Sequence, residues 1–241
     1  MQNNIFAALF VKSGFYTYFC CMISQAEENY LKVLRLLSDA NGVATVNEIG
    51  KELNIKMPTV NSMMKKLSEK GLVYYESYKP IKLTPEGEKE AALIIRKHRL
   101  TEMYLVEKMG FGWEQVHSIA EQVEHIQSPE FFAKMDELLG YPSVDPHGSP
   151  IPDIEGNMDW VAYRKLSECQ EGESVKVVAV INSSDEFLKF LNSREIHLEL
   201  KMSIKSIELF DQSMVVSYKN HPSETLSHMV CERLLVDTKK T

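Results

Sequence analysis

The stretch TVNEIGKELNIKMPTVNSMMKKLSEKG, residues 45–71, predicts two short helices joined by a tight turn. Thr45 and Glu48 have the spacing of a capping box, in which each side chain accepts a hydrogen bond from the other residue's backbone N–H. The second helix is predicted to begin near Pro58, because proline is favoured in the first turn of a helix, and to end at Gly71. Its apolar residues recur at helical spacing and are expected to face inward: Val60, Met63, Met64 and Leu67.

The flanking residues complete a winged helix-turn-helix. Ser24 and Glu27 form a second capping box, which begins a preceding helix that ends at Asn41-Gly42. Two short strands are predicted after the third helix, at about 72–77 and 81–84. Three helices followed by a two-stranded wing are typical of this DNA-binding module, which we assign to residues 22–84.

Residues 85–140 predict a helical domain for metal binding and dimerisation. Its three helices are expected at about 85–108, 113–126 and 129–140. The first follows Thr84-Pro85, and the last opens at Ser128-Pro129 and closes at Gly140. The last helix is too apolar for a solvated surface. We therefore expect it to form a dimer interface through Phe131, Phe132, Met135, Leu138 and Leu139.

The C-terminal third predicts a small all-β domain. Residues 141–159 contain four prolines and are interpreted as an extended linker. From residue 160 to residue 241, short runs of alternating β-branched residues surround one helix near 185–192, a pattern that favours a small SH3-like barrel. Cys169 and Cys231 are expected to be thiols in the core of this barrel.

Charge is unevenly distributed along the 241 residues, although the net charge is −7. Residues 45–99 carry 11 basic and 7 acidic side chains, whereas residues 100–241 carry 13 basic and 24 acidic ones. A basic module that can bind nucleic acid is therefore followed by an acidic one that can bind cations. Four cysteines without metal-knuckle spacing favour a reducing cytoplasm.

The first 21 residues do not fit the rest of the chain. Lys12, Ser13 and Gly14 interrupt an apolar stretch that would otherwise approach the length of a membrane span, so no membrane association is predicted. The segment also lacks the basic start and the small-residue cleavage site of a secretory signal. We interpret residues 1–21 as an N-terminal extension, with Met22 as the working start.

Metal-ligand side chains recur at helical spacing in the acidic part. His98 and Glu102 are four residues apart, which places them on one helix face, although a single such pair is usually a solvated surface pair. The next helix is predicted to carry a whole stripe of metal-ligand types beside its apolar stripe: His117, Glu121, Glu124 and His125. Two imidazoles and two carboxylates with a neighbouring His-x-x-x-Glu can hold one or two divalent ions.

The third helix of the winged module carries candidate DNA contacts. Short polar side chains at its exposed start can reach base edges or phosphates, and lysines further along can neutralise phosphates. The predicted contacts are Thr59, Asn61, Ser62, Lys65 and Lys66. Some winged-helix domains bind proteins instead, but the density of lysines around this helix favours DNA.

Four motifs in order resemble the metal-dependent repressors of the diphtheria-toxin-repressor and manganese-transport-regulator family. They are M-P-T-V (57–60), R-K-H-R-L-x-E (96–102), V-H-x-x-A-E-x-V-E-H (116–125) and D-P-H-G-S-P-I-P (145–152). The resemblance covers residues 24–241, and its last part is similar to the FeoA-like SH3 domain of the longer members. It implies a mostly α N-terminal part, with a winged helix-turn-helix and a helical metal and dimerisation domain, followed by a small all-β SH3-like barrel.

The resemblance also implies metal ligands. His98, Glu102 and His117 match an ancillary site, whereas Glu121, Glu124 and His125 match a primary site. Two single residues complete the implied set, Asn29 and Glu186. The first stands where the family takes a primary-site ligand from the first helix, and its amide oxygen can bind a hard cation but brings no charge. The second is the best candidate from the C-terminal domain, with a solvated carboxylate at a helix start as the alternative.

The function implied by the resemblance is that of a homodimeric repressor of metal-uptake genes, with metal as corepressor and an inverted repeat in double-stranded DNA as operator. Because the matched ligands are rich in carboxylates and Glu121 replaces a cysteine, Mn²⁺ is predicted as the activating ion, with Fe²⁺ second. Two other classes remain open at this point: a metalloenzyme built on the His/Glu helices, and a winged-helix regulator that responds to a small molecule.

Overall fold

The computed structural model describes residues 23–38, 42–158, 161–181 and 183–237. The predicted N-terminal extension and the working start at Met22 lie outside these residues. The chain divides into two compact units, one ending at Glu88 and the other beginning at Lys89. No helix in the described ranges combines the length and the apolar character needed to cross a membrane.

The first unit is the winged helix-turn-helix. Its elements are α1 (Gln25–Ser38), α2 (Val46–Glu52), α3 (Met57–Glu69), β1 (Val73–Tyr74), β2 (Lys82–Leu83) and the start of α4 (Pro85–Met109). Both capping boxes are present, at Ser24/Glu27 and at Thr45/Glu48. The wing strands are shorter than predicted, with two residues paired antiparallel on each side.

The core of this unit forms where the apolar stripes of its helices meet. Fully buried side chains include Leu31, Leu34, Ile49, Val60, Met64 and Leu67. After α3 the chain turns at Gly71, whose φ of +74° lies in the left-handed region that glycine adopts without a Cβ clash. The chain then continues directly into the wing.

The helical part of the second unit contains most of α4, α5 (His117–Val123) and α6 (Pro129–Leu139). Ser128 caps α6 and Gly140 ends it with a φ of +75°, as the sequence predicts. Helix α5 is shorter than the predicted span of residues 113–126. As a result, Glu124 is the C-cap of α5, and His125 lies beyond the helix.

The C-terminal region is a six-stranded antiparallel sheet in the order β3-β8-β4-β5-β6-β7. The strands are β3 (Arg164–Lys165), β4 (Ser174–Val180), β5 (Lys201–Ile207), β6 (Met214–Tyr218), β7 (His221–Leu226) and β8 (Leu234–Asp237), with α7 (Asp185–Asn192) between β4 and β5 and α8 (His228–Cys231) before β8. Cys169 and Cys231 are buried in its core, as predicted, and burial raises the pKa of the two thiols to about 11 and about 12, respectively.

The proline-rich segment after α6 packs into the second unit, whereas the linker interpretation implied a solvated spacer. Residues 145–148 are buried, and Ile151 joins a core cluster with Leu100 of α4 and Phe132 of α6. The segment closes on itself through a bridge between Val144 and Pro150. The folded part of this segment, residues 143–152, is called the proline loop below.

Candidate functional site

Helix α4 supplies the centre of the candidate metal site. His98 and Glu102 are four residues apart on its buried face, and both side chains are almost completely excluded from solvent. His98 Nε2 lies 3.0 Å from Glu102 Oε1. Burying a carboxylate is costly unless it is paired, hydrogen-bonded or bound to an ion. His98 and Glu102 therefore belong to a candidate ion-binding site. Their spacing alone would have favoured a solvated surface pair.

Helix α5 brings a second imidazole to the same oxygen. His117 Nδ1 lies 3.3 Å from Glu102 Oε1 and 3.2 Å from His98 Nε2. Ligand atoms of His98, Glu102 and His117 all lie within 4.8 Å of one another. His117 itself is exposed, so this first ligand group is open to solvent on one side. The structure thus brings together the three residues that the sequence assigned to an ancillary site.

The proline loop brings two further ligand types to the other oxygen of Glu102. His147 Nδ1 lies 3.7 Å from Glu102 Oε2 and 4.0 Å from Asp145 Oδ1. Glu102, Asp145 and His147 form a second ligand group within the same 4.8 Å limit, and all three are buried. The two groups share Glu102, which therefore faces three imidazoles.

Hydrogen bonds at the outer nitrogens orient two of these imidazoles. His98 Nδ1 donates to Glu124 Oε2 at 2.5 Å, so its Nε2 faces Glu102. His147 Nε2 donates to the carbonyl oxygen of Trp113 at 3.0 Å, and the imidazole stacks on the indole of the same residue. Both histidines show the arrangement typical of metal ligands, in which a carboxylate or carbonyl fixes the nitrogen that does not bind the ion.

The proline loop is held by its own carboxylate and by α4. Asp145 Oδ1 accepts hydrogen bonds from the backbone N–H groups of His147 and Ser149, at 2.8 and 2.9 Å. Arg99 of α4 donates to the carbonyl oxygen of Pro150, and its Nε lies 3.6 Å from Asp145 Oδ2. The loop conformation that places His147 beside Glu102 is therefore fixed by residues of the loop itself and by Arg99, one helical turn from Glu102.

The proline loop also packs against strand β4. The backbone N–H of Val180 donates to the carbonyl oxygen of His147 at 2.9 Å. Gly148 has a φ of +85°, and a Cβ built there would lie 2.2 Å from the Val178 carbonyl oxygen and 2.6 Å from Ala179 Cα. The pairing of β4 with β8 shifts register at Val178, which marks a bulge at the point of contact. The contact between Gly148 and this bulge is called the loop seat.

The titratable groups around Glu102 shift one another's pKa values. Burial alone would raise the pKa of Glu102, but hydrogen bonds with His117, His147 and His98 outweigh it and hold that pKa well below its usual range. Burial and the neighbouring Glu102 charge raise the pKa of Asp145. Burial lowers the pKa of His147, but its contacts with Glu102 and Asp145 raise it overall. Protons and a divalent cation would therefore compete for this group.

The residues assigned to a primary site are distributed differently. Glu124 is buried and bonded to His98, while His125 Nε2 lies 3.7 Å from Glu124 Oε1. Glu121 is exposed, with its Oε1 3.5 Å from His117 Nε2. In the described ranges, Glu121, Glu124 and His125 do not form a ligand group of their own.

Of the two remaining ligands that the resemblance implies, Glu186 does not belong to either ligand group. Asn29 is half-buried on α1 in the first unit, and Glu186 is exposed in the first turn of α7. His147, which is not among the predicted ligands, is buried in the second ligand group. The signal that could have identified it is the Asp-x-His spacing within the D-P-H-G motif, because alternate residues of a tight loop can point to one centre.

The predicted DNA contacts lie on one stretch of α3. Four of them are exposed and the second is half-buried: Thr59, Asn61, Ser62, Lys65 and Lys66. Lys66 Nζ also lies 3.4 Å from the buried Glu27, which pairs more closely with Lys70 at 2.8 Å. Lys66 therefore has an intramolecular partner in addition to its exposed part, which reduces its availability to a phosphate.

Comparisons with protein families and curated proteins agree with this architecture. Residues 22–81 match the family model for the N-terminal DNA-binding domain of iron-dependent repressors, and residues 84–153 match the model for their metal-binding and dimerisation domain. The iron-dependent repressor IdeR of Mycobacterium tuberculosis is 30% identical over 158 residues, which cover 63% of this chain and 69% of the relative. The diphtheria toxin repressor of Corynebacterium diphtheriae is 28% identical over 207 residues, which cover 76% and 92%.

Solved structures extend the similarity through the C-terminal sheet. A manganese-dependent transcriptional repressor in complex with manganese has a TM-score of 0.79 at 26% identity, covering 88% of this chain and 99% of that one. The repressor ScaR with bound Cd²⁺ has a TM-score of 0.73 at 27% identity, with the same two coverages. Both solved structures contain a bound metal ion.

Proposed function

The chain belongs to the iron-dependent repressor family, and on that premise we propose that it is a DNA-binding transcriptional regulator activated by a divalent metal ion. It acts in the cytoplasm as a homodimer and binds an inverted-repeat operator upstream of metal-uptake genes, with the metal as corepressor. The family is one of repressors, which supports a regulator over the metalloenzyme that the His/Glu helices alone left open.

The observation that carries this proposal is the pair of oriented imidazoles around Glu102. His98 and His147 each use one nitrogen for a hydrogen bond to an outer acceptor and direct the other toward the shared carboxylate. Both of these imidazoles are also buried, which distinguishes them from solvated surface histidines. The donors of both ligand groups are carboxylate oxygens and imidazole nitrogens, a set that fits Mn²⁺, Fe²⁺ or Zn²⁺.

Three separate segments of the second unit reach this site, which makes it suitable for regulation. His98 and Glu102 belong to α4, His117 belongs to α5, and His147 belongs to the proline loop. A bound ion supplies positive charge that offsets the repulsion between the buried carboxylates. Since the donors converge only in one arrangement of the three segments, the binding free energy favours that arrangement over others. We infer that it is the arrangement in which a dimer presents both α3 helices to DNA.

Mn²⁺ is the activator that we propose, with Fe²⁺ weaker or equal. Oxygen donors suit the hard Mn²⁺ ion, while thiolates favour later transition metals. The two thiols in the described ranges, Cys169 and Cys231, lie in the core of the C-terminal sheet and not in either ligand group. Glu121, beside His117, is the position where a change to cysteine is expected to move the response toward Fe²⁺ or Co²⁺.

The test of the proposed function is whether DNA binding requires the metal. Fluorescence anisotropy of chelator-treated protein with promoter-fragment duplexes is expected to show specific binding only after Mn²⁺ or Fe²⁺ is added under anaerobic conditions. Excess chelator should reverse the binding. Specific binding of equal strength with and without metal would contradict the proposal and favour a regulator of a small molecule.

A second prediction concerns the dimer interface on α6. Phe132 and Met135 are buried in the core of their own chain, which corrects the expectation that both belong to the interface. Phe131 and Leu138 are 43% and 50% exposed and are seven residues apart, on one helix face. Leu138→Glu is expected to give a monomer in sedimentation velocity, because a charge is costly to bury in a two-fold apolar contact.

Ala133→Glu is the matched control on the same helix, because it introduces the same charge at an exposed residue that lies about half a turn away from Phe131 and Leu138. It should leave the dimer intact. Phe132→Asp is expected to destabilise the helical region instead, which thermal melting would detect. A dimer that persists in Leu138→Glu at nanomolar protein concentration would place the interface elsewhere.

A further inference from the structure

Helix α3 presents polar groups whose hydrogen-bonding direction is already set within the protein. Asn61 and Ser62 are adjacent near the start of α3, and each makes an intramolecular hydrogen bond. An amide or a hydroxyl that is free to rotate can serve as donor or as acceptor, and so tolerates several bases. A group that is held by an internal hydrogen bond presents mainly a donor, or mainly an acceptor, to a base edge.

The wing holds the Asn61 amide. The hydroxyl of Tyr75, the residue after β1, donates to Asn61 Oδ1 at 3.0 Å. Both residues are half-buried, which limits competition from water. The carbonyl end of the amide is thereby directed to the wing, and the NH₂ end, with two protons, is left for DNA.

A backbone carbonyl holds Ser62 in the opposite sense. Its hydroxyl donates to the carbonyl oxygen of Pro58, one turn earlier, at 2.9 Å. Because the proton is used within the helix, the exposed oxygen of Ser62 can only accept a hydrogen bond. The exposed face of α3 therefore carries a fixed donor at Asn61 and a fixed acceptor at Ser62.

From this geometry we propose that Tyr75 is a positioning residue that sets the base preference of Asn61. The inference rests on the proposed DNA-binding function and adds a specificity rule to it. In the major groove an NH₂ donor meets two acceptors on guanine, O6 and N7, and one on thymine, O4. On adenine the N7 acceptor lies beside the N6 donor, so the two-bond contact with adenine also needs the amide oxygen, which Tyr75 holds. The Ser62 acceptor pairs with adenine N6 or cytosine N4. The operator half-site then has guanine or thymine opposite Asn61, and adenine or cytosine opposite Ser62.

The experiment is selection by the full-length, Mn²⁺-loaded protein from a randomised DNA duplex library at fixed salt, followed by sequencing. Tyr75→Phe removes one hydroxyl and releases the Asn61 amide. We expect adenine at the position read by Asn61 to rise about tenfold relative to guanine and thymine, the order of one hydrogen bond. The preferences at other positions and the affinity for unselected DNA should stay within about twofold, since phosphate contacts are unchanged.

Tyr74→Phe is the matched control, because it removes the hydroxyl of the preceding tyrosine, which is 59% exposed and is not the group bonded to Asn61. Its selected sequences should match those of the wild type. Asn61→Asp is a second variant that keeps the acceptor for Tyr75 and removes the NH₂ donor. It is expected to replace guanine and thymine by cytosine or adenine, independently of how well Tyr75→Phe folds.

The outcomes separate this inference from the proposed function. If wild-type protein selects a sequence and Tyr75→Phe selects the same one with the same base frequencies, the positioning role of Tyr75 is wrong while the regulator stands. If the wild type selects no sequence even with Mn²⁺ present, the proposed function fails, and the specificity rule fails with it.

Discussion

Glu102→Gln is expected to abolish metal-dependent operator binding. The substitution keeps the shape of the side chain and removes its charge from both ligand groups at once, because each group contains Glu102. Loss of an outer-shell partner alone costs about 10- to 100-fold in metal affinity, so loss of this shared ligand should cost more than about 100-fold. Isothermal titration with Mn²⁺ would measure the affinity, and anisotropy with operator DNA would measure its consequence.

Glu107→Gln is the control for this result, since Glu107 lies on the same helix and is exposed. It should bind Mn²⁺ and DNA as the wild type does. Thermal melting of both variants without metal separates a loss of ligands from a loss of fold. Mn²⁺ affinity within threefold of wild type in a folded Glu102→Gln protein would show that the ion binds elsewhere.

The second large effect is expected from Gly148→Ala. A Cβ at this position would overlap the Val178 carbonyl oxygen and Ala179 Cα, and neither backbone atom can move without disturbing β4. Left-handed backbone costs an alanine about 1–2 kcal/mol, and the steric overlap should add about 1–3 kcal/mol or displace the loop from β4. We expect a lower melting temperature together with a loss of Mn²⁺ affinity, because His147 precedes the displaced residue.

Gly172→Ala provides a control with the same backbone geometry. Gly172 also has a φ of +85°, but a Cβ there would have no neighbour within 4 Å. The variant should show only the backbone cost of about 1–2 kcal/mol in chemical denaturation and unchanged Mn²⁺ affinity. Equal losses of stability in the two alanine variants would mean that the loop seat has no steric role.

Local signals made the fold of the first unit predictable. Capping boxes at Ser24 and Thr45, a proline in the first turn of α3 and Gly71 after it each act within a few residues, and each lies where the sequence placed it. The wing strands were predicted too long because their ends depend on pairing. A run of β-branched and aromatic residues indicates a strand, but it does not show at which residue the pairing with the neighbouring strand ends.

The candidate metal site was predictable in the parts that lie on α4 and α5, but not in the part that lies on the proline loop. His98 and Glu102 share a helix, and spacing alone places them together. His147 and Asp145 reach Glu102 through a loop, and loop conformation depends on contacts distant in sequence, here with Arg99 and β4. Four prolines suggested a spacer, although proline also suits a rigid packed loop whose backbone N–H groups are few.

Helix α5 is too short to carry the whole predicted stripe of metal-ligand side chains. The spacing of His117, Glu121, Glu124 and His125 forms a single face only if the helix continues through all four residues. The helix ends at Val123, so Glu124 turns inward to His98 and His125 leaves the helical path. No glycine or proline occurs at residues 124–127 to mark the end of the helix. The buried partner of Glu124, His98, lies on α4.

The loop seat has a thermodynamic consequence for the C-terminal sheet. The His147 carbonyl oxygen accepts a hydrogen bond from the Val180 backbone N–H of β4, so folding of that strand stabilises the second ligand group, which contains Glu102, Asp145 and His147. Because an ion that binds only the folded form stabilises that form, metal binding stabilises β4 as well as α4 and α5. Each tenfold excess of free metal over its dissociation constant adds about 1.4 kcal/mol to the unfolding free energy of every element on which the site depends. A barrel that contributes no ligand would thus become more stable as the cell's supply of metal rises.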